Sequence, residues 1–203
     1  MTTQRPEEPR VDQDISRGDL PAEWDLDGWT FDHCRFRYVD LAGLSTTGCR
    51  FLACDLTGVD LSGSHHAGSV FTNCRFEGAR LSTTTFDGCK LTGSELTDIT
   101  TMGLTIRGGD WSYVNLRGVD LRGHDLAGVR LAHADLAEAC LTGATLRGAD
   151  LTSANLRGTL LQDVDLSEAE LLGTNLAEAH LEGVHLDLSG AVRLAESLGA
   201  DVS

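Results

Sequence analysis

Six cysteines and seven histidines are the residues of this 203-residue chain that could attack a substrate, ligate a metal or carry a proton. Their spacing points away from all three. Cys34, Cys49, Cys54, Cys74 and Cys89 lie at multiples of five residues from one another, and no C-x-x-C pair occurs as a zinc or redox centre would need. If residues at such intervals stack, neighbouring thiols have parallel side chains, a poor disulfide geometry even at about 5 Å. They are read as reduced thiols acting as small hydrophobes, with Cys140 on a more polar position. His66, next to His65, reads as a hydrogen-bonded core imidazole or a local turn irregularity. A metal or proton-transfer role would need a carboxylate or cysteine constellation that the sequence does not place around it. His180 and His185, five apart, read as surface imidazoles. With no Gly-rich phosphate loop and no nucleophile motif, the expectation is no catalytic residue, no metal and no cofactor.

The acidic residues are the other chemistry. The net charge is −15 and the pI near 4.7, which excludes ordinary direct binding of nucleic acid but leaves open a partner that itself binds nucleic acid. The charge is uneven. Residues 158–203 hold Asp163, Asp165, Glu168, Glu170, Glu178, Glu182, Asp187, Glu196 and Asp201 against Arg193 alone, whereas 101–157 balance.

What positions these residues is a period of five. From Leu116 to Leu186 a leucine occupies every fifth position, and the same frame runs back through Trp111, Ile106, Leu96, Phe86, Phe71, Phe51, Phe36 and Phe31 to Leu26. Only Thr46, His66 and Thr101 break the apolar rule. Two residues before each centre stands a small side chain, such as Ala134, Ala149 or Cys74. Five matches neither the helix period nor the strand period. It suits a solenoid that turns a corner every five residues and points one large apolar side chain inward per side. Gly28, Gly48, Gly68, Gly88, Gly108, Gly128 and Gly148 recur every twenty residues, as do Phe31, Phe51 and Phe71. Twenty residues per coil means four sides, with the glycine column at a corner that needs positive φ or close backbone approach. A filled core of this kind offers no natural concave pocket for an enzyme.

The units Ala149-Asp150-Leu151, Ala154-Asn155-Leu156, Cys34-Arg35-Phe36 and Cys74-Arg75-Phe76 resemble the pentapeptide-repeat family, over about four fifths of the chain. The resemblance implies an all-β fold, a right-handed quadrilateral parallel β-helix. In length and unbroken phase the chain is similar to the topoisomerase-protecting members of the Qnr and MfpA type, which are rod-shaped dimers imitating B-form DNA. It therefore implies that DNA gyrase or a related type II topoisomerase is the partner, protected from quinolones or a gyrase-poisoning antibiotic. Asp163, Asp165, Glu168, Glu170, Glu178 and Glu182 would form the binding surface. The alternative is a structural scaffold with an unrelated protein partner, since fold does not fix function.

Three segments follow. Residues 1–23, with three prolines and no period, are expected to be a flexible arm or, at most, a loose cap. Residues 24–187 form the β-helix, opened by Trp24 and Trp29, with an irregular coil at 97–114. About eight coils at roughly 4.8 Å would make a rod on the order of 40 Å long. Residues 188–203 form a short α-helix with Ser189 as N-cap and Gly199 as its stop. Its apolar residues Val192, Leu194, Ala195 and Leu198 would pack on the last coil or, as the resemblance implies, join two copies through their C-termini as a homodimer. No apolar run reaches transmembrane length and no signal-peptide core follows Met1, so a cytoplasmic location is expected.

Overall fold

From Gly28 to Gly173 every fifth residue has a positive φ, between 48° and 76°. These are the corners, and each lies two residues after an inward-pointing centre. The sequence flagged one glycine column. The structure places a left-handed turn at all four corners, many of them carried by residues with a Cβ. Asp98, Asp163, Asn73 and His133 belong to the types that tolerate this region, whereas Thr83 and Tyr113 are rarer there. Where the N–H three residues past a centre bonds back to its carbonyl, as Val119 to Leu116 at 3.1 Å, the positive third residue makes the corner a type II turn.

The computed structural model describes residues 8–21 and 25–202. It divides into two compact units, Met1–Gly109 and Asp110–Ser203. Each is a parallel β-solenoid whose coils repeat every twenty residues.

The first unit carries the strands β1 (Arg10–Val11), β2 (Asp25–Asp27), β3 (Thr30–Asp32), β4 (Ser45–Thr47), β5 (Arg50–Leu52), β6 (His65–Ala67), β7 (Val70–Thr72), β8 (Thr85–Asp87) and β9 (Thr105–Arg107). They form two parallel sheets, β1-β3-β5-β7 and β2-β4-β6-β8-β9. Six of the strand centres, Phe31, Thr46, Phe51, Phe71, Phe86 and Ile106, are aromatic or β-branched, residues that suit a pleated surface, while Leu26 and His66 are carried in register between them. The other two sides meet through single bridges, such as Arg35 to Asp55 to Arg75. In the second unit, leucine centres flanked by small or polar residues give turns at nearly every corner and single bridges on every side, as Asp110 to Arg130 to Asp150.

The core consists of columns. Phe31, Phe51 and Phe71 stack with ring centroids 5.0 and 4.6 Å apart. Leu116 through Leu176 are all buried at five-residue intervals. The inward position two before each centre has a recurring task when it bears a polar hydrogen. Cys49 Sγ donates to the Leu26 carbonyl at 3.2 Å and Cys74 to Phe51 at 3.2 Å. Thr84 and Ser94 donate to Leu61 and Phe71 at 2.7 Å, and Thr159 to Leu136 at 2.8 Å. Each of these donors reaches the centre 23 residues earlier, so cysteine, serine and threonine are chemical equivalents there. All six cysteines are free, and burial pushes the Cys49 and Cys89 thiols up to about 11.

His66 replaces a core residue and is fully buried. It lies 5.1 Å from Phe86, nearly parallel to it. Its Nδ1 is 2.8 Å from Thr46 Oγ1 and its Nε2 is 2.9 Å from Ser64 Oγ, and Ser69 Oγ extends the network 2.9 Å beyond Thr46. A neutral imidazole supplies one N–H and one lone pair to two hydroxyls that can each take either role. Burial, with a smaller contribution from His65, lowers its pKa to about 3. Of the readings open from sequence, this is the core imidazole.

Two segments differ from expectation. The described part of the stretch read as a flexible arm or, at most, a loose cap is paired along the first coil: β1 pairs with β3, Asp14 bridges Arg35, and Ile15 and Leu20 are buried. The step here is 21 residues rather than 20, which puts Ile15 and Leu20 one position out of phase with Leu26 and hides them from a frame-based reading. Trp29 is buried beneath the Arg10 guanidinium, 5.1 Å from its ring centroid. Trp24 lies outside the described residues. Second, the stretch expected to be irregular keeps its ladder to the coil before it. Thr100 bridges Arg80, and β9 pairs with β8. Its departures are a bend at Asp98 and the conformation of Gly109, with φ at 96° and its α-carbon so close to the next coil that a Cβ would collide with the Cys89 carbonyl oxygen.

Two outcomes follow from these features. Gly109→Ala is expected to lower unfolding stability by about 1–3 kcal/mol, because strain and overlap coincide. Gly48→Ala, which meets open space at φ 58°, should cost nearer 1 kcal/mol; urea denaturation compares the two. For His66, the unfolded chain takes a proton near the ordinary imidazole pKa while the folded chain resists until about 3. The His66 contribution is therefore complete above pH 6.5 and is lost as pH falls below it. His66→Phe should be less stable at pH 7, with the buried Ser64 hydroxyl losing its partner and Thr46 keeping only Ser69. Its further loss between pH 7 and 4.5 should be smaller than the wild type's by about 2–3 kcal/mol, read from urea curves at both pH values.

Candidate interaction surface

The residue just before each centre is most often Asp or Asn, and the structure shows why. Its side-chain oxygen accepts the backbone N–H two residues ahead: Asp40 from Ala42, Asp60 from Ser62, Asp135 from Ala137, Asn155 from Arg157, Asp165 from Ser167, all within 2.9–3.2 Å. This is an Asx turn that seats the corner. An acid in this position is first a turn acceptor and only second a surface charge.

The six acids expected to form one binding surface lie on four sides of the coil. Asp163 and Glu182 share a side, where the Asp163 N–H bonds the Glu182 carbonyl at 3.0 Å and the Asp163 carboxylate sits over Gly183. Asp165 and Glu168 share the next side, Glu170 stands on the third and Glu178 on the fourth. Together they form a collar around the end of the second unit. Their freedom differs. Asp165 is half-buried, and the Ser167 hydroxyl and N–H hold its carboxyl below the usual range. Glu168 is exposed but paired with Arg147. Glu178 accepts from Asn175 Nδ2 at 2.9 Å, and Glu170 from the Leu172 N–H at 3.3 Å. Glu182 is exposed, with no side-chain partner among the described residues.

The last coil includes one 3-10 turn, Leu176–Glu178, and after His185 the chain leaves the ladder through the helix α1, Leu188–Ser197. The N-cap is Asp187, not Ser189. Its Oδ1 accepts the Gly190 N–H at 2.8 Å and its Oδ2 accepts the Glu168 N–H at 3.0 Å, so one carboxylate caps the helix and ties it to the preceding coil. Those N–H groups lower the Asp187 pKa. Gly199, at φ 88°, ends the helix as expected, with the Ala200 N–H on the Ala195 carbonyl. Of the residues expected at a dimer contact, Val192, Leu194 and Ala195 are half-buried and Leu198 is 70 % exposed. Leu188, which the sequence pattern did not single out, is 82 % exposed.

His180 and His185 are both exposed and bridge Leu160 and Asp165 on adjacent sides. Among the described residues no three His, Cys, Asp or Glu side chains converge as a metal site, and no helix is long and apolar enough to cross a membrane.

Pentapeptide-repeat models match residues 34–65, 54–93, 112–148 and 149–187, and the chain belongs to the pentapeptide-repeat family. Among solved structures, full-length QnrB1, a plasmid-mediated fluoroquinolone resistance protein, superposes with a TM-score of 0.84 at 22 % identity, over 95 % of this chain and 97 % of that one. A trypsin-treated QnrB1 variant gives 0.81 at 22 % identity, over 96 % and 97 %. HetL, a pentapeptide-repeat protein involved in heterocyst differentiation regulation in the cyanobacterium Nostoc sp. strain PCC 7120, is 23 % identical over 90 % of each chain, with a TM-score of 0.38. No curated protein matches the chain. At this identity the likeness to QnrB1 is one of fold.

The Asx role of Asp165 separates charge from structure. Asp165→Asn keeps the acceptor and should leave the thermal midpoint within about 2 °C, whereas Asp165→Ala should cost about 1 kcal/mol, measured by calorimetry.

Proposed function

We propose that this protein binds DNA gyrase or a related type II topoisomerase through its acidic C-terminal collar, in the manner of a duplex mimic, and protects the enzyme from quinolones or a gyrase-poisoning antibiotic. The observation that carries the reading is the collar itself. Around a coil whose fold matches QnrB1, acids project from all four sides while, among the described residues, Arg147 is the one arginine in an ion pair with them. A basic DNA-binding saddle would be drawn to negative charge distributed around a column by long-range electrostatics. Two copies meeting through α1, with Leu188 and Leu198 as the exposed apolar contacts, would double that charge at their junction. The role is that of an intracellular binding protein with no catalytic residue and no cofactor.

A scaffold with an unrelated partner is the competing reading. It is favoured by the first unit, where most charges are paired within the coil stack. A supercoiling assay separates the two. The unaltered protein should inhibit purified gyrase and reduce quinolone-induced cleavage. Replacing Glu170, Glu178 and Glu182 together by lysine should weaken inhibition at least about tenfold with an unchanged circular dichroism spectrum. Absence of any effect of the unaltered protein would remove the gyrase reading, and inhibition indifferent to the three reversals would remove the mimicry.

A further inference from the structure

Asp32 of β3, in register with Leu52, is an acid, but over the next three coils this side of the first unit lacks the acidic character of the rest of the chain. Its outward positions on β5, β7 and the coil that follows are Arg50, Val70 and Lys90 in one column and Leu52, Thr72 and Thr92 in the next. Arg50 pairs in register with Val70 and Val70 bridges Lys90, while Leu52 pairs with Thr72. No carboxylate occurs among them. Arg50 and Lys90 are exposed, and neither has an ion-pair partner among the described residues. Other arginines of this unit are held by acids about one coil away: Arg35 by Asp14, Arg75 by Glu95, Arg80 by Asp60. The side is bounded at the corner by an open groove of about 360 Å³ lined by Ala53, Asn73 and Gly93, with the Arg75–Glu95 pair on its far wall.

We propose that this face docks an extended acidic peptide segment of a protein partner. Coils about 4.8 Å apart place the Arg50 and Lys90 backbones roughly 10 Å from each other. A strand laid along the stack presents alternate side chains on one side about 7 Å apart, a span that two flexible cations can meet. Its intervening residues would cover Leu52 and Val70, which are half-buried and flat on the pleated surface. Nucleic acid is the poorer occupant, because its unbroken run of phosphates meets only two cations here and finds no groove of basic residues to track its backbone, whereas a peptide alternates its carboxylates with apolar residues that this face can cover. The face is separate from the acidic collar, and the proposal does not rest on gyrase binding.

The test is fluorescence anisotropy with a labelled twelve-residue peptide of alternating glutamate and valine, and with its glutamine–valine and lysine–valine counterparts, on the full chain. Binding is expected for the glutamate peptide alone, weakening as salt rises from about 20 to about 300 mM. Arg50→Glu or Lys90→Glu should each weaken it about fivefold, and the double reversal should abolish it. The milder Arg50→Gln and Lys90→Gln pair guards against misfolding, and Arg157→Glu in the other unit should leave binding unchanged. Failure of the glutamate peptide to bind, or binding indifferent to both reversals, would overturn the proposal. Self-association of the free protein that the double reversal removes would assign the face to a second copy and overturn it as well.

Discussion

A left-handed backbone turn at every fifth residue is the constraint from which the rest of the structure follows. It fixes the length of a side, and a side of that length can point one large side chain inward and two outward. Four such corners bring the chain back above itself after twenty residues, where N–H and C=O groups meet those of the neighbouring coil, as the Asp135 N–H meets the Val114 carbonyl at 2.9 Å. A residue with a Cβ in the left-handed region costs roughly 1–2 kcal/mol relative to the right-handed one. That cost is tolerated at Thr83, Tyr113 and Glu168 because each corner is held by ladder bonds on both sides and by a buried centre next to it.

The same geometry assigns small polar groups their work. A hydroxyl or thiol two before a centre reaches the carbonyl of the coil below. A carboxylate or amide one before a centre reaches the turn N–H above. Much of the acidic charge is therefore built into the corners, at Asp60, Asp135, Asp150 and Asp165 among others. What remains available to a partner are acids on the outward positions past the centre, Glu182 and Asp163 foremost. The buried thiols likewise belong to the backbone. Pushed up by burial and bonded to carbonyls, Cys49 and Cys89 are poor nucleophiles.

The period, the four sides, the phenylalanine ladder and the terminal helix were legible in the sequence, because each depends on a residue type repeated in phase. The remainder was hidden for identifiable reasons. Ile15 and Leu20 belong to a coil whose step is one residue longer, so they fall between the expected positions. Asp187 caps α1 in place of Ser189 because it already accepts the Glu168 N–H, a contact that nineteen residues of sequence separate. The acids at 163–182 look like one cluster when counted along the chain, yet a residue's side depends on its position modulo twenty, which distributes them around the coil. The same arithmetic would have exposed the three coils without outward carboxylates, since residues twenty and forty after Arg50 are Val70 and Lys90, and those after Leu52 are Thr72 and Thr92.

The strict twenty-residue return has a consequence for how such a chain can change length. Removing residues 53–72, or copying them once more, would leave every inward column, corner and ladder partner facing its own kind, because each residue would find an equivalent above and below. An insertion whose length is not a multiple of five would turn centres outward, and five, ten or fifteen residues would move each column to a different side. Unequal exchange between repeats in the gene is thus a mutational step that this architecture absorbs, and the height of the stack is free to drift or to be selected to match the span of whatever surface it must meet.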